Sequence, residues 1–170
     1  IIGLGCAGFS AAKAVREADP KRSIHIYSDT DEAPYNPMLT TYYASGKIRE
    51  DEMFPLGNLE DISRELNAKI MCLSPVVSLR AQTREIVLEN GNIECYDDII
   101  IASGASAVVP PIKNLPSRGI YTMRTASDAR RLERVLESGV KRAIVVGAQM
   151  VGIKVVELLM KRGIKTLLVD

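Results

Sequence analysis

The sequence has few cysteines and a single histidine, and each scarcity excludes a kind of site. The three cysteines, Cys6, Cys72 and Cys95, are odd in number and far apart, so they form neither a C-x-x-C pair nor a disulfide framework. This usage fits a reducing cytoplasm. His25 lies in an alternating strand pattern with no catalytic or metal-ligand partner near it in sequence. We expect a packed or half-exposed strand residue there and no metal site.

Charge excess and long apolar runs are also missing. The 22 lysines and arginines nearly balance 21 acidic residues, which gives neither the basic surface of a nucleic-acid binder nor an acidic tail. No apolar run reaches the ~20 residues that cross a bilayer, and no signal peptide is visible. We therefore expect a cytoplasmic protein without nucleic-acid or membrane partners. Because the chain starts and stops inside strand patterns, we expect it to be a piece of a longer protein.

The opening stretch contains three glycines at G-x-G-x-x-G spacing between a strand and a helix predicted from Gly8 to Ala18. Gly3 allows a tight turn, Gly5 lets a pyrophosphate approach the backbone, and Gly8 lets helix and strand pack closely. The helix N-terminus then offers free N–H groups and a positive dipole end to phosphates. Taken alone, the same spacing also fits a turn without a ligand.

An acidic residue ends the next predicted strand. Residues 23–28 form this strand, and Asp29 follows it at about the distance expected for the acid that binds ribose hydroxyls in a dinucleotide fold. Asp31 and Glu32 compete for that role, and the alternative interpretation is a solvated turn. The proline- and tyrosine-rich segment 33–43 then predicts an irregular loop leading into a short helix, which is either a binding loop or a surface excursion.

The middle of the chain predicts strands with Cys72 and Cys95 in their core. A hairpin surrounds Asn90–Asn92, and the apolar run 97–105 predicts a buried parallel strand whose end touches a ligand. A proline-rich linker follows. The βαβ pattern then returns, with a strand at 142–146, a turn at Gly147–Gly152, a helix at 153–162, a strand at 164–169, and Asp170 at the acidic position.

Two such units separated by a meander resemble the FAD- and pyridine-nucleotide-dependent oxidoreductases. The sequence is most similar to the branch of rubredoxin and ferredoxin reductases, NADH oxidases and nitrite reductase flavin modules. The resemblance covers the whole chain. Its motifs are Gly3-x-Gly5-x-x-Gly8, Pro34-Tyr35-Asn36 with Leu39-Thr40, the run from Tyr96 to Gly104, and the second turn with Asp170.

The resemblance implies an α/β fold of the three-layer ββα type, with two Rossmann-like dinucleotide-binding units and a β-meander. It implies an FAD-binding domain at 1–109, a linker at 110–118, and the first βαβ unit of an NAD(P)-binding domain at 119–170. The implied FAD contacts are Gly3, Gly5, Cys6, Ala7, Gly8, Asp29, Asn36, Ser103 and Gly104. The implied NAD(P)H contacts are Gly147, Gln149, Gly152 and Asp170.

By the same resemblance, the protein is an FAD-dependent oxidoreductase that takes hydride from NAD(P)H and passes electrons to a redox protein or a small acceptor. Asp170 would bond ribose hydroxyls and repel a 2′-phosphate, which favours NADH. The family's interface domain lies beyond residue 170, so the resemblance also admits a homo-oligomer formed through a missing C-terminal region.

Several positions depart from the family pattern. No cysteine pair follows the glycine turn, and Met38 stands where some relatives have a single redox cysteine. Pro37 and Thr41 stand where the reductase branch has a loop arginine and lysine. We therefore expect no thiol-based redox relay.

Two further departures lie in the second unit. Gln149 replaces the middle glycine of the turn and would crowd a pyrophosphate. Lys154 replaces a glutamate, which predicts a cation near the flavin that favours its reduced anionic form; the alternative is a lysine that points to solvent. The second interpretation of the whole chain is a flavin-binding subunit, structural or regulatory, with a degenerate or lost NAD(P)H site.

Overall fold

The computed structural model describes residues 1–116 and 118–170 as a mixed α/β protein, which confirms the predicted fold class. Residue 117, inside the predicted linker, lies outside the described residues. The chain divides into two compact units. The first comprises Ile1–Tyr35 and Phe54–Ala105, and the second comprises Asn36–Met53 and Ser106–Asp170. Segment 36–53, which falls within the predicted 1–109 domain, thus belongs to the second unit.

Helices and strands alternate at both ends of the chain, and a run of strands separates them. Among the described residues, the α-helices are α1 (Cys6–Ala18), α2 (Thr40–Ala44), α3 (Leu59–Leu66), α4 (Ala126–Glu137) and α5 (Met150–Lys161). The strands are β1 (His25–Tyr27), β2 (Lys69–Met71), β3 (Val76–Arg80), β4 (Glu85–Leu88), β5 (Ile93–Cys95), β6 (Arg142–Val146) and β7 (Lys165–Val169). Short 3-10 helices lie at Pro37–Leu39 and Asp51–Met53.

The first unit is built on a parallel arrangement. Strands β1 and β2 pair in parallel, and Ile2 forms parallel bridges to Tyr27 on one side and to Ile101 on the other. Helices α1 and α3 cover this layer with apolar side chains, because their buried positions recur at helical spacing. The buried core of this layer consists of Leu4, Phe9, Ala12, Ile24, Ile26, Ile62, Leu66 and Ala68.

A three-stranded antiparallel meander, in the order β3-β4-β5, completes the first unit. Its buried residues Ile86 and Leu88 pack with Tyr27 of β1. His25 is half-buried in β1 and its Nδ1 lies 2.8 Å from the Tyr96 hydroxyl, so the prediction of a packed strand residue is confirmed. The predicted core position of Cys95 is wrong, since this side chain is exposed on the outer strand of the meander.

The predicted strand at 97–105 is reduced to a single bridge. The Ile2 N–H donates to the Ile100 carbonyl at 2.8 Å, and the Ala102 N–H donates to the Ile2 carbonyl at 2.7 Å. Gly3 turns the chain away directly after Ile2, so the ladder has one residue pair and no longer strand forms. The apolar run had predicted strand character, but its extent depends on the length of the partner.

In the second unit, β6 and β7 pair in parallel over five residue pairs, from Arg142–Lys165 to Val146–Val169, with α5 as the connection. Helix α4 begins with a capping box in which Thr125 accepts from the Asp128 N–H and the Asp128 carboxylate accepts from the Thr125 N–H. The predicted short helix after the Pro34–Asn36 motif is present as α2, and it packs on α4 and α5.

Candidate functional site

The first glycine turn leaves no room for side chains at two of its three glycines. Gly3 has φ +101°, a conformation that favours glycine, and its N–H donates to the Tyr27 carbonyl at 2.8 Å. A Cβ on Gly3 would lie 2.2 Å from the Ala102 carbonyl oxygen. A Cβ on Gly8 would lie 2.0 Å from the Gly3 carbonyl oxygen. The backbone itself therefore requires glycine at both positions.

The middle glycine faces open space. Gly5 is the N-cap of α1 with an ordinary extended backbone (φ −81°, ψ −171°), and a Cβ built on it meets no atom within 4 Å. No side chain caps this helix end, and its first turn carries no acidic residue. Cys6 and Ala7 are exposed there. The first N–H groups of α1 and its positive dipole end thus fit a phosphate that approaches Gly5.

Ser103 lies beside the first turn, and Gly104 follows it; their contact with a cofactor stays a prediction. A Cβ on Gly3 would come within 3.1 Å of the Ser103 Cα. Both residues are exposed, and Gly104 has φ +72°. The positive φ turns the chain just after its bridge to Ile2, so its exposed backbone lies at the carboxyl end of the parallel layer.

The second turn has the same backbone geometry as the first. Gly147 has φ +102° and its N–H donates to the Val169 carbonyl at 2.8 Å. A Cβ on Gly152 would lie 1.9 Å from the Gly147 carbonyl oxygen. Gln149 is the N-cap of α5 with φ −79° and ψ −179°, and its side chain is exposed. Gln149 therefore occupies the place of Gly5 without backbone strain.

The hydrogen bonds of the two turns show that the acidic residues of the two units are offset by one position. Gly147 donates to Val169, and the next residue, Asp170, accepts from the Ala148 N–H through Oδ1 at 2.8 Å. The matching bond in the first unit is from Gly3 to Tyr27, and the residue after Tyr27 is Ser28. Ser28 is buried, while Asp29, one residue farther along, is exposed. Counting residues from the glycines does not reveal this offset.

Lys154 contacts an aromatic ring that sequence reasoning missed. Its Nζ lies 4.1 Å from the centroid of the Tyr42 ring, and Lys47 Nζ lies 5.3 Å from the same centroid. A hydrogen bond from Lys154 and the charge of its ammonium lower the pKa of Tyr42. Thr41, the position matched to the loop lysine of the reductase branch, is buried. The tyrosine next to it makes the contact instead.

The other predicted loop residue has a local structural role. Asn36 is the N-cap of the 3-10 helix Pro37–Leu39, and its Oδ1 accepts from the Met38 N–H at 3.0 Å. Its own N–H donates to the Met53 carbonyl at 3.1 Å, which closes the segment 36–53. The side chain is exposed, and cofactor contact by Asn36 stays a prediction.

Cysteines and carboxylates do not assemble into a metal or redox centre in the part of the chain that the structure describes. No group of three His, Cys, Asp or Glu side chains that could hold a metal is found there. All three cysteines are free; Cys6 Sγ donates to the Tyr35 carbonyl at 3.4 Å, and burial and the charge of Asp31 raise the pKa of Cys72. Across the described residues, helices are too short or too polar to cross a membrane.

Each of the two units has a strand, a glycine turn and a helix that begins directly at the turn. This arrangement defines a protein of the dinucleotide-binding class. The chain belongs to the pyridine nucleotide-disulphide oxidoreductase family, whose model matches residues 1–170.

Relatives of this family match the chain over its full length. It is 31% identical over 175 residues to an NADH oxidase of Methanocaldococcus jannaschii, with 100% of this chain and 39% of the relative covered. It is 27% identical over 175 residues to a rubredoxin-NAD(+) reductase of Acinetobacter baylyi, with 100% and 44% covered. The chain thus spans about two fifths of the length of these relatives.

A solved structure supports the same fold. The crystal structure of reduced Bacillus anthracis CoADR-RHD superposes with a TM-score of 0.89 at 26% identity, and the match covers 98% of this chain and 31% of that one.

Proposed function

We propose that this chain is the nucleotide-binding part of an FAD-dependent oxidoreductase that takes hydride from NAD(P)H and passes electrons to a redox protein or a small acceptor. The first unit binds FAD and the second binds NAD(P)H. The names of two relatives, an NADH oxidase and a rubredoxin-NAD(+) reductase, support both kinds of acceptor. A rubredoxin-like redox protein and a small molecule are therefore the two acceptor classes to test.

The observation that carries this proposal is the repeated turn. In each unit the first glycine has a φ near +100°, and the third glycine packs so closely against the carbonyl of the first that a Cβ would clash with it. In the first unit, Gly5 leaves open space at an uncapped helix end, which fits the FAD pyrophosphate. The exposed backbone at Ser103 and Gly104 lies beside that turn and supplies a second set of FAD contacts.

Residues of the second unit set the choice of donor. Asp170 lies against the second turn through its bond with the Ala148 N–H, where a carboxylate accepts from ribose hydroxyls and repels a 2′-phosphate. NADH is therefore the proposed donor. The redox chemistry is that of the flavin, and the protein binds, orients and polarises. The three free cysteines fit electron transfer without a redox-active cysteine pair.

Lys154 is the proposed cation beside the flavin. A positive charge near the ring favours the reduced anionic form over the oxidised neutral form, because only the former carries negative charge. Its ammonium lies on the Tyr42 ring, so the lysine is held in a defined position.

One observation favours a second candidate function. Gln149 places an exposed side chain where the first turn has open space, so pyrophosphate binding at α5 is hindered. In that case the chain is part of a flavin-binding subunit that has lost efficient NAD(P)H use and has a structural or regulatory role. Flavin retention is expected under both candidates, and only reduction by NADH distinguishes them.

Anaerobic addition of NADH to the purified full-length protein tests these candidates. We expect a yellow protein that NADH bleaches. Colour without bleaching, with dithionite still effective, would establish the degenerate subunit. A protein that neither retains nor rebinds FAD would refute both.

Matched glycine variants distort the backbone of each turn separately, and the cofactor whose binding is lost identifies the turn that holds it. Gly8→Ala introduces a Cβ at 2.0 Å from the Gly3 carbonyl oxygen and should abolish flavin retention. Gly152→Ala introduces one at 1.9 Å from the Gly147 carbonyl oxygen and should leave the protein yellow while it loses bleaching by NADH. Equal bleaching in wild type and Gly152→Ala would contradict the assignment of the second turn.

A further inference from the structure

A groove of the second unit is lined by Thr41, Tyr42, Ser45, Lys47, Lys154, Glu157, Leu158 and Lys161. Of its three lysines, Lys154 is the one without a carboxylate partner among the described residues. Glu157, one helical turn further along α5, pairs with Lys47 at 3.5 Å and with Lys161 at 2.5 Å. Lys154 makes its contact with Tyr42 instead, at 4.1 Å from the ring centroid. The single carboxylate of the groove is thus shared by two other ammonium groups, and the charge of Lys154 is left uncompensated.

The ring that receives Lys154 is itself held by its neighbours. Tyr42 belongs to α2, and the adjacent Tyr43 is buried with its hydroxyl donating to Glu133 of α4. Arg162 donates to the carbonyl of Ala44, two residues after Tyr42, at 3.3 Å. These two contacts hold α2 just after Tyr42, so the Tyr42 ring has a defined position next to α5, although the residue is 37% exposed.

A fixed aromatic face restrains a flexible cation. A lysine has four rotatable side-chain bonds and samples many positions in water, whereas an ammonium over a tyrosine ring gains the electrostatic attraction of the ring face. Lys154 also acts on the hydroxyl of the same ring, since it lowers the pKa of Tyr42. The two residues therefore act as one unit.

We propose that Tyr42 is a positioning residue for Lys154: its ring face fixes the uncompensated ammonium that acts on the flavin. This inference rests on the proposed function, in which Lys154 is the cation beside the flavin. Where the resemblance implies a loop lysine and a helix glutamate for the reductase branch, this chain has the loop ring of Tyr42 and the helix residue Lys154. The ring holds the cation without neutralising it, which a carboxylate would do.

The first test concerns the pair alone and needs no flavin. Ultraviolet titration of tyrosinate, taken as the difference between each protein and its Tyr42→Phe counterpart, reports ionisation of Tyr42. Lys154→Met should move this titration to higher pH, and Lys154→Arg should keep it near that of wild type. Lys141→Met is the matched control, because Lys141 is an exposed lysine that does not line this groove, and it should leave the titration unchanged.

The second test measures the midpoint potential of the flavin in the loaded protein. Lys154→Met and Tyr42→Leu should both lower it, and Tyr42→Phe, which keeps the ring face, should stay near wild type. Thermal melts of the apoproteins show whether each variant is folded. We expect the Tyr42 variants to fold, because Tyr42 is partly exposed at the surface.

The outcomes separate the two claims. A potential that falls in Lys154→Met but not in Tyr42→Leu overturns the positioning role of Tyr42, as does a tyrosinate titration that Lys154→Met leaves unchanged. A protein that binds no flavin, or a Lys154→Met potential equal to wild type, overturns the proposed role of Lys154 on which the inference rests. In that case the tyrosinate shift would persist, which identifies the failed step.

Discussion

Gln149→Gly should strengthen NADH binding, and the structure shows why the substitution should change the stability of the fold little. Gln149 has φ −79° and ψ −179°, values that any residue adopts, and it makes no capping bond with its side chain. Gly5 has nearly the same backbone at the matching place in the first unit. Glycine is a tolerated N-cap residue, so α5 should lose at most a few tenths of a kcal/mol. The change therefore removes a side chain and little else.

The expected gain in NADH affinity follows from the cost of ordering the Gln149 side chain when a pyrophosphate approaches the N-terminus of α5. Gln149 is exposed, and its side chain must be ordered away from the phosphates. Immobilising a side chain with many rotamers costs about 0.5–1.5 kcal/mol, which corresponds to about a two- to tenfold change in Kd. Gln149→Ala should recover most of this gain. Any remaining difference between the alanine and glycine variants measures the Cβ itself.

Anaerobic equilibrium titration with NADH, followed by flavin absorbance or calorimetry, gives the Kd of each variant. The mirror substitution Gly5→Gln puts the same side chain into the first turn, where a Cβ meets no atom within 4 Å, and should weaken FAD binding without unfolding the unit. An unchanged or weaker Kd for NADH in a folded Gln149→Gly protein would refute the reasoning, because the second turn would then tolerate a side chain at its middle position.

Three further predictions concern stability and coenzyme choice. Arg16 donates to four backbone carbonyls at the C-terminal ends of α1 and α3, at 2.7 to 3.3 Å. Arg16→Met should therefore lower the free energy of unfolding, measured by urea titration, by about 2 kcal/mol. The control Lys13→Met, on the exposed face of α1, should change it little. Burial and the hydrogen bond to Glu133 raise the pKa of Tyr43 to about 12, above the unfolded value of 10.0. This contribution to stability is fully present below pH 10 and is lost as pH rises toward 12, so unfolding curves of Tyr43→Phe should show a smaller loss over that range, and an identical loss would contradict the assignment. Asp170→Ala should shift the ratio of NADPH to NADH affinity by about tenfold toward NADPH, the size of one hydrogen bond to a charged group, and competition titrations measure it; an unchanged ratio would exclude contact between this carboxylate and the ribose.

Local sequence signals predicted the two glycine turns well. The requirement at Gly3 and Gly152 comes from φ values and close contacts within a few residues or across one strand pair, and spacing alone encodes those. Helix starts were predicted two to three residues late, since α1 begins at Cys6 and α5 at Met150. The reason is that the third glycine already lies in the first helical turn, where backbone packing and not side-chain pattern decides the boundary.

Contacts between segments distant in sequence were less predictable. The run 97–105 has strand composition, but its pairing ends where Ile2 ends, and no local pattern encodes the length of a partner. The contact of Lys154 with Tyr42 joins positions 112 residues apart in the sequence, so family spacing pointed to the neighbouring Thr41. Helical geometry decides which of two adjacent residues faces a partner, because a one-residue shift rotates the side-chain direction by about 100°.

The comparison of the two turns separates structural glycines from functional ones. Gly3 and Gly147 share a φ near +100°, and Gly8 and Gly152 share a clash with the preceding turn, so the fold demands glycine at the first and third positions whether or not a ligand binds. The middle position carries no such demand, because Gln149 adopts the conformation that Gly5 adopts. We therefore expect the residue at the middle position to matter for the ligand and not for the fold. The strand–turn–helix of the second unit forms with Gln149 at this position, so Gln149 should bear only on the affinity for the nucleotide.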